Sequence, residues 1–262
     1  MVAFDIDGTL LPRGVMTLDT KTKEALDELN KKGIYTVIST GRIVTFIQDE
    51  IMKKIDSDYY VTINGSVVTD KDLNVIKTYP LKEDGFKEII DAVLDLDIAI
   101  GLKYPKEIAV YNRYDYYMSI YDRYHNLPPL IYDYSKTRDY HLTHGLPTGA
   151  FIIAEEEKIP AFKERIKSVT VADAYKGAAE CYDKDISKAE ALAFVANRLG
   201  FTMDNVMAFG DSQNDIDMLK AAKVGVAMGN ATEATKAIAD YVTDDCDKYG
   251  IPKALRHFGL IG

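Results

Sequence analysis

At 262 residues, with 47% apolar content, the chain has enough material for one large domain or two modest ones around a sizeable core. A net charge of −9 excludes the basic footprint of a nucleic-acid binder. It does not exclude a small phosphorylated partner, because a bound metal and helix ends can reverse the sign inside a pocket.

Two cysteines, Cys181 and Cys246, show no metal or redox spacing, which points to a reducing compartment. No apolar run approaches the ~20 residues of a membrane helix. Acidic residues follow Met1 too soon for a signal peptide. A cytoplasmic protein without membrane or nucleic-acid partners is expected, with the oligomeric state open and a monomer sufficient.

In chain order, residues 2–4 read as a short buried strand. Asp19 is placed to N-cap a helix through Lys32, with Ala25, Leu26 and Leu29 on one face and Gly33 as its stop. A buried strand over 35–39, a helix near 43–55 and a strand over 59–63 follow. Strand, helix, strand in this order implies right-handed crossovers and a parallel sheet.

From about 82 to 183 the grammar changes. Phe86, Ile89, Ile90, Val93 and Leu94 have helical spacing, and short strands are expected over 98–103, 107–111, 149–154, 169–174 and 178–182. Several are separated by turns rather than helices, so this block reads as an inserted α+β domain.

The tail then returns to the first pattern. Ser187 and Glu190 form a capping box for a helix to about Leu199. Strands over 205–209, 225–228 and 241–243 alternate with helices over 214–222 and 233–239. The fold expected is an α/β, doubly wound parallel sheet of Rossmann type, built from 1–81 and 184–262, with an inserted α+β cap over 82–183.

Four short segments fall at the carboxyl ends of the expected parallel strands, the edge where open α/β sheets bind ligands. They are Asp5-Ile6-Asp7-Gly8-Thr9, Ser39-Thr40-Gly41-Arg42, Lys188 in the first turn of its helix, and Gly210-Asp211-Ser212-Gln213-Asn214-Asp215. Taken singly, each has an ordinary explanation as a turn or a helix cap. Together they crowd carboxylates along one edge, where unit charges ~4 Å apart repel by several kcal/mol. A divalent cation relieves that repulsion, and an all-oxygen donor set favours Mg²⁺. Lys188 at a helix start opposes the helix dipole unless an anion lies between them.

These segments, in this order, resemble the four motifs of the haloacid dehalogenase superfamily. The resemblance is closest to the Cof-type phosphatases, whose large cap lies between motifs two and three. Asn64-Gly65, Gly229-Asn230-Ala231 and Tyr249-Gly250-Ile251 extend the match over nearly the whole chain. The first strand is shorter than such chains usually show.

The resemblance implies a Mg²⁺-dependent phosphatase acting on small phosphate monoesters such as sugar phosphates. Asp5 would be the nucleophile that becomes an aspartyl-phosphate, and Asp7 the general acid and base. Phosphate or substrate binding would fall to Thr40, Gly41, Arg42, Asn64, Lys188 and Asn214, and metal binding to Asp5, Asp7, Asp211 and Asp215. A phosphomutase of the same superfamily and a catalytically weak regulatory homologue share these motifs and stay open at this level.

Ten of the 18 tyrosines lie between Tyr104 and Tyr140, which suggests a sugar-stacking surface. The spacing of Tyr114, Tyr117, Tyr121 and Tyr124 instead matches the packing stripe of a helix. His141 and His144 have a metal-compatible spacing but no third ligand in view, so a polar loop is the simpler expectation.

Overall fold

The structure, a computed structural model, describes residues 1–15, 17–47, 54–125 and 130–262, leaving aside the side chains of 122–125. The chain divides into two compact units. The first comprises Met1–Thr40, Ile47–Ile76 and Ser187–Gly262, and the second Gly41–Phe46 and Lys77–Ile186.

An eight-stranded sheet organises the first unit. Its strands run across the sheet in the order Tyr241–Val242, Val224–Ala227, Met207–Gly210, Val2–Phe4, Thr36–Ser39, Tyr59–Thr62, Val67–Asp70 and Val75–Thr78. The six strands from Tyr241–Val242 to Tyr59–Thr62 pair in parallel, as the alternation of strands and helices requires. The central strands, buried on both faces, are short and apolar: Val2, Ala3 and Phe4 are at most 1% exposed.

Helix Thr20–Lys31 starts where expected, with the Asp19 carboxylate accepting the Thr22 N–H at 2.9 Å. It buries Ala25, Leu26 and Leu29. Helix Lys188–Arg198 is capped by the Ser187 hydroxyl, which accepts the N–H groups of Ala189 and Glu190. Its Ala191, Leu192 and Val195 pack on Ala3, Val37 and Val61 of the sheet.

The sheet is mixed at one end. Beyond Tyr59–Thr62 the chain turns through Ile63 and Asn64, both with positive φ (52° and 54°), and returns antiparallel as Val67–Asp70, pairing Thr62 with Val67. Positive φ at successive residues is the geometry that lets a tight turn follow the strand twist, and Asn-Gly is its usual chemistry. The expected helix near 43–55 falls partly on 48–53, outside the described residues; before that gap the chain forms a 3-10 turn at Val44–Phe46. A C-terminal helix, Gly250–His257, that periodicity did not single out buries Ile251, Ala254 and Leu255.

The second unit contains a six-stranded sheet ordered Val169–Tyr175, Ala178–Asp183, Gly149–Ile153, Ala99–Lys103, Ile108–Asn112 and Ile131–Asp133. Helices Glu83–Leu96 and Lys158–Arg165 cover one face, with Ile89, Val93 and Phe162 set on Ile100, Leu102 and Ile152. Helix Tyr114–His125 carries Tyr114, Tyr117 and Tyr121 of the expected stripe, the Tyr124 side chain lying outside the described residues. Tyr117 is fully buried, its hydroxyl lying where a side chain at Gly101 would stand, and Tyr121 stacks on it at 5.0 Å. Those two tyrosines are packing residues.

His141 accompanies Tyr111, Nδ1 to hydroxyl at 2.8 Å, and His144 stacks on Tyr140 at 3.7 Å. Both histidines are engaged with aromatic neighbours rather than with each other. Among the described residues, no helix is long and apolar enough to cross a membrane.

Candidate active site

Register places the site. Phe4 is opposite Phe209 on one side and Ile38 on the other, so three neighbouring strands end within a residue of each other. The residues that follow, Asp5, Thr40 and Asp211, therefore sit together at the carboxyl edge. The Asp5 N–H donates to the Phe209 carbonyl at 3.1 Å, which fixes the start of the loop.

Asp5 is 5% exposed and Lys188 is 1% exposed. Lys188 Nζ donates to Asp5 Oδ1 and to Asp215 Oδ1, each at 2.7 Å. The other Asp215 oxygen accepts the N–H groups of Asp211 and Ser212, both at 2.9 Å. Asp215 thus spends both oxygens on holding Lys188 and the Asp211 loop.

Asp211 is reached from the opposite loop. Its Oδ1 accepts from Thr9 Oγ1 at 3.2 Å and its Oδ2 from Arg13 Nη2 at 3.1 Å. Gly8, with φ of +95°, lies so close that a Cβ would meet Asp211 Oδ2 at 2.4 Å. Only glycine permits that approach. The Gly8 carbonyl accepts from Asn230 Nδ2 at 2.8 Å, and Asn230 Oδ1 takes the Cys246 N–H. Asp7, partly exposed, begins the tight turn that pairs it with Leu11.

Thr40, 1% exposed, donates its N–H to the Val61 carbonyl, and its own carbonyl accepts the Asn64 N–H at 3.1 Å. Asn64 Oδ1 accepts from Asn214 Nδ2 at 2.8 Å, while the Asn64 amide nitrogen, fully buried, meets no hydrogen-bond partner among the described residues. A buried amide donor in that state is worth a hydrogen bond to any acceptor that enters.

Gly65 (φ +107°) seats the turn against the start of the Lys188 helix, where a Cβ would lie 2.2 Å from the Ser187 carbonyl oxygen. Gly65→Ala is expected to cost roughly 2–4 kcal/mol in urea unfolding, from backbone strain plus overpacking. A loss below the error of that measurement would show that the contact is not needed.

Structure thus gathers Asp5, Asp7, Thr40, Asn64, Lys188, Asp211, Asn214 and Asp215 in the first unit. Gly41 and Arg42 belong to the second. There the Gly41 carbonyl accepts from Lys103 Nζ at 3.0 Å, Lys103 being paired with Glu180 at 2.6 Å, and Arg42 donates to the Phe46 carbonyl.

Two residues outside the motif set join the site. Asn230 lies in a stretch that matched the family pattern without a role. Arg13 carried no signal, since an arginine between Pro12 and Gly14 reads as an ordinary turn.

Electrostatics follow from the crowding. Burial pushes the Asp5 carboxyl well above the usual carboxylate range; Lys188 opposes this, and Asp215, Asp211 and Asp7 reinforce it. Burial also raises Asp211, with Asp215 adding to the effect and Arg13 and Thr9 resisting it. For Lys188, burial alone would favour the neutral amine, but the two carboxylates more than offset it and leave its pKa raised. Lys188 is therefore a permanent cation, and one such charge does not balance its neighbours.

Asp5, Asp211 and Asp215 can each direct an oxygen to within 4.8 Å of the others, the single acidic, Cys or His grouping of metal-binding proportions among the described residues. The donor set is oxygen only and short of positive charge. It fits a hard divalent cation.

Comparison with known proteins agrees with this geometry. A family model for haloacid dehalogenase-like hydrolases matches residues 2–255. The chain is 31% identical to the 5-amino-6-(5-phospho-D-ribitylamino)uracil phosphatase YcsE of Bacillus subtilis, over 99% of this chain and 96% of that one. It is also 31% identical to a phosphoglycolate phosphatase of Archaeoglobus fulgidus, over 99% and 97% of the two chains. The solved structure of the subclass IIB sugar phosphatase BT4131 superposes with a TM-score of 0.88 at 28% identity, over 99% of both chains. A match over nearly its whole length, joined to acidic loops in register at one sheet edge, makes this chain a member of the haloacid dehalogenase-like hydrolases and a phosphatase of the Cof type.

Proposed function

We propose that the protein is a Mg²⁺-dependent phosphatase of small phosphate monoesters, sugar phosphates and related metabolites, working through an aspartyl-phosphate on Asp5. The observation that carries this reading is the buried Lys188 bridge, 2.7 Å from both Asp5 and Asp215. It holds one Asp5 oxygen and so orients the carboxylate, leaving Oδ2 to attack phosphorus. Attack forms the Asp5–phosphorus bond as the ester bond breaks, which divides one hard displacement into two easier ones.

Asp7, two residues on and better solvated, donates a proton to the leaving oxygen. It then takes one from the water that hydrolyses the intermediate. Thr40, the unpartnered Asn64 amide and Lys188 supply donors to the phosphoryl oxygens, with Asn214 holding Asn64 in orientation. Asp5, Asp211 and the Asp7 carbonyl would hold Mg²⁺, which would supply positive charge to the phosphoryl oxygens. Asp215 anchors Lys188 and the Asp211 loop. Residues 82–183 act as the cap that selects the substrate.

The test is phosphate release from a panel of sugar, glycolate, nucleotide and ribityl-pyrimidine phosphates, with and without EDTA. Turnover of at least one sugar-type phosphate, abolished by EDTA and restored by Mg²⁺, is the expected outcome. Indifference to EDTA would remove the metal from this scheme, and an inert panel would remove the substrate class.

A further inference from the structure

Lys188 and Arg13 both touch the acidic cluster, and they are held in opposite ways. Lys188 has a side chain 0% exposed with two carboxylates at 2.7 Å, so it cannot withdraw without leaving buried charges behind. Arg13 has a side chain 61% exposed and, among the described residues, a single ion-pair partner, Asp211, whose own side chain is 4% exposed. It springs from a turn closed by the Val15 N–H on the Pro12 carbonyl. Gly14 beside it has positive φ and open space around it. An ion pair with one end in water is worth little, so this arginine can leave at small cost.

The oxygen it occupies is in demand. Asp211 Oδ1 is taken by Thr9 and Oδ2 by Arg13, yet Asp211 is one of three residues able to direct oxygens to a common point. A divalent cation at that point needs an oxygen that a protein donor now holds. Thr9, neutral and 1% exposed, is fixed in the turn after the nucleophile. Arg13 is positive and also feels the charges of Asp5 and Asp7, so it lies in the field of the whole cluster. Like charges at one carboxylate repel, and the solvated one yields.

We propose that Arg13 is an exchangeable counter-ion of Asp211 that is displaced when the divalent cation binds, so that metal uptake and release of the Arg13 side chain are one event. This rests on the metal reading above. In the metal-free protein the arginine holds the Asp211 carboxylate in place, and the affinity for metal is lowered by the contact that must be broken.

The test is calorimetric titration of wild type and Arg13→Gln with Mg²⁺. It is paired with NMR of ¹⁵N-arginine-labelled wild type, in which the Arg13 guanidinium signal is assigned by its loss in the variant. Arg13→Gln is expected to bind Mg²⁺ about 5-fold tighter, the effect of an ion pair of about 1 kcal/mol at 1.4 kcal/mol per decade. In wild type, Mg²⁺ is expected to move the Arg13 signal to that of a solvated guanidinium. Equal or weaker binding by the variant, or an Arg13 signal that Mg²⁺ leaves in place, overturns the proposal. No binding by either protein overturns the metal reading and the proposal with it, which separates that failure from the failure of Arg13 alone.

Discussion

Asp5→Asn is expected to lower phosphate release by at least about 10⁴-fold, because an amide does not attack phosphorus. The same change is expected to leave the fold intact or firmer. Asparagine keeps an oxygen to accept from Lys188, whose bond to Asp5 is 2.7 Å long. Asp5 has a folded-state pKa raised by burial and by three carboxylates, so ionising it is harder in the fold than in the unfolded chain.

The sign follows from that. Below the unfolded value of about 3.9 both states are protonated and Asp5 contributes nothing. As pH rises past that value toward the folded pKa, a penalty grows, and at pH 7 wild type carries it. In EDTA, Asp5→Asn should therefore melt at the same temperature or higher near pH 7, and the difference should vanish below about pH 4. With Mg²⁺ the order should reverse, since wild type gains the metal's binding energy and the variant loses a ligand. A variant that retained a tenth of wild-type turnover would end the assignment of Asp5 as nucleophile.

Lys188→Met produces the largest stability effect. Methionine fills a similar volume, but it strands the Asp5 and Asp215 side chains, 7% and 0% exposed, without the cation they share. Removing one partner from a buried ion pair costs about 3–5 kcal/mol. Urea unfolding at pH 7 should show a loss of that size. The deficit should shrink as pH falls, because burial already raises the Asp5 carboxyl and, once it takes up a proton, the missing cation matters less. Adding Asp5→Asn to Lys188→Met should recover part of the loss, a coupling expected only for groups in contact. A loss under about 1 kcal/mol, or one that does not vary with pH, would contradict this account of the triad.

Much of this was legible in the residues alone. Helix starts were readable because caps are local: Asp19 and Ser187 each meet a backbone N–H within three residues. Core strands were readable because strands buried on both faces must be continuously apolar, as 2–4 and 36–39 nearly are. The antiparallel return at Val67–Asp70 has its signal in Asn64-Gly65 between two apolar runs. Those residues match the site pattern, and they are also a hairpin turn. Strands Val75–Thr78 and Ile131–Asp133 left little trace, being short and largely exposed edge strands whose pairing comes from neighbours.

The site divides the same way. Sequence alone determined which chemistry is available, because carboxylates, a lysine and a threonine at strand ends carry their reactivity wherever they occur, and their order along the chain identifies the family. Only the tertiary structure decided how the charges are shared. Lys188 is 183 residues from Asp5 and 27 from Asp215, and Arg13 is 198 from Asp211. Which oxygen each cation takes depends on strand register, on the close approach that Gly8 and Gly65 allow, and on how far each side chain is buried. Those distances separate the cation that stays from the one that can leave.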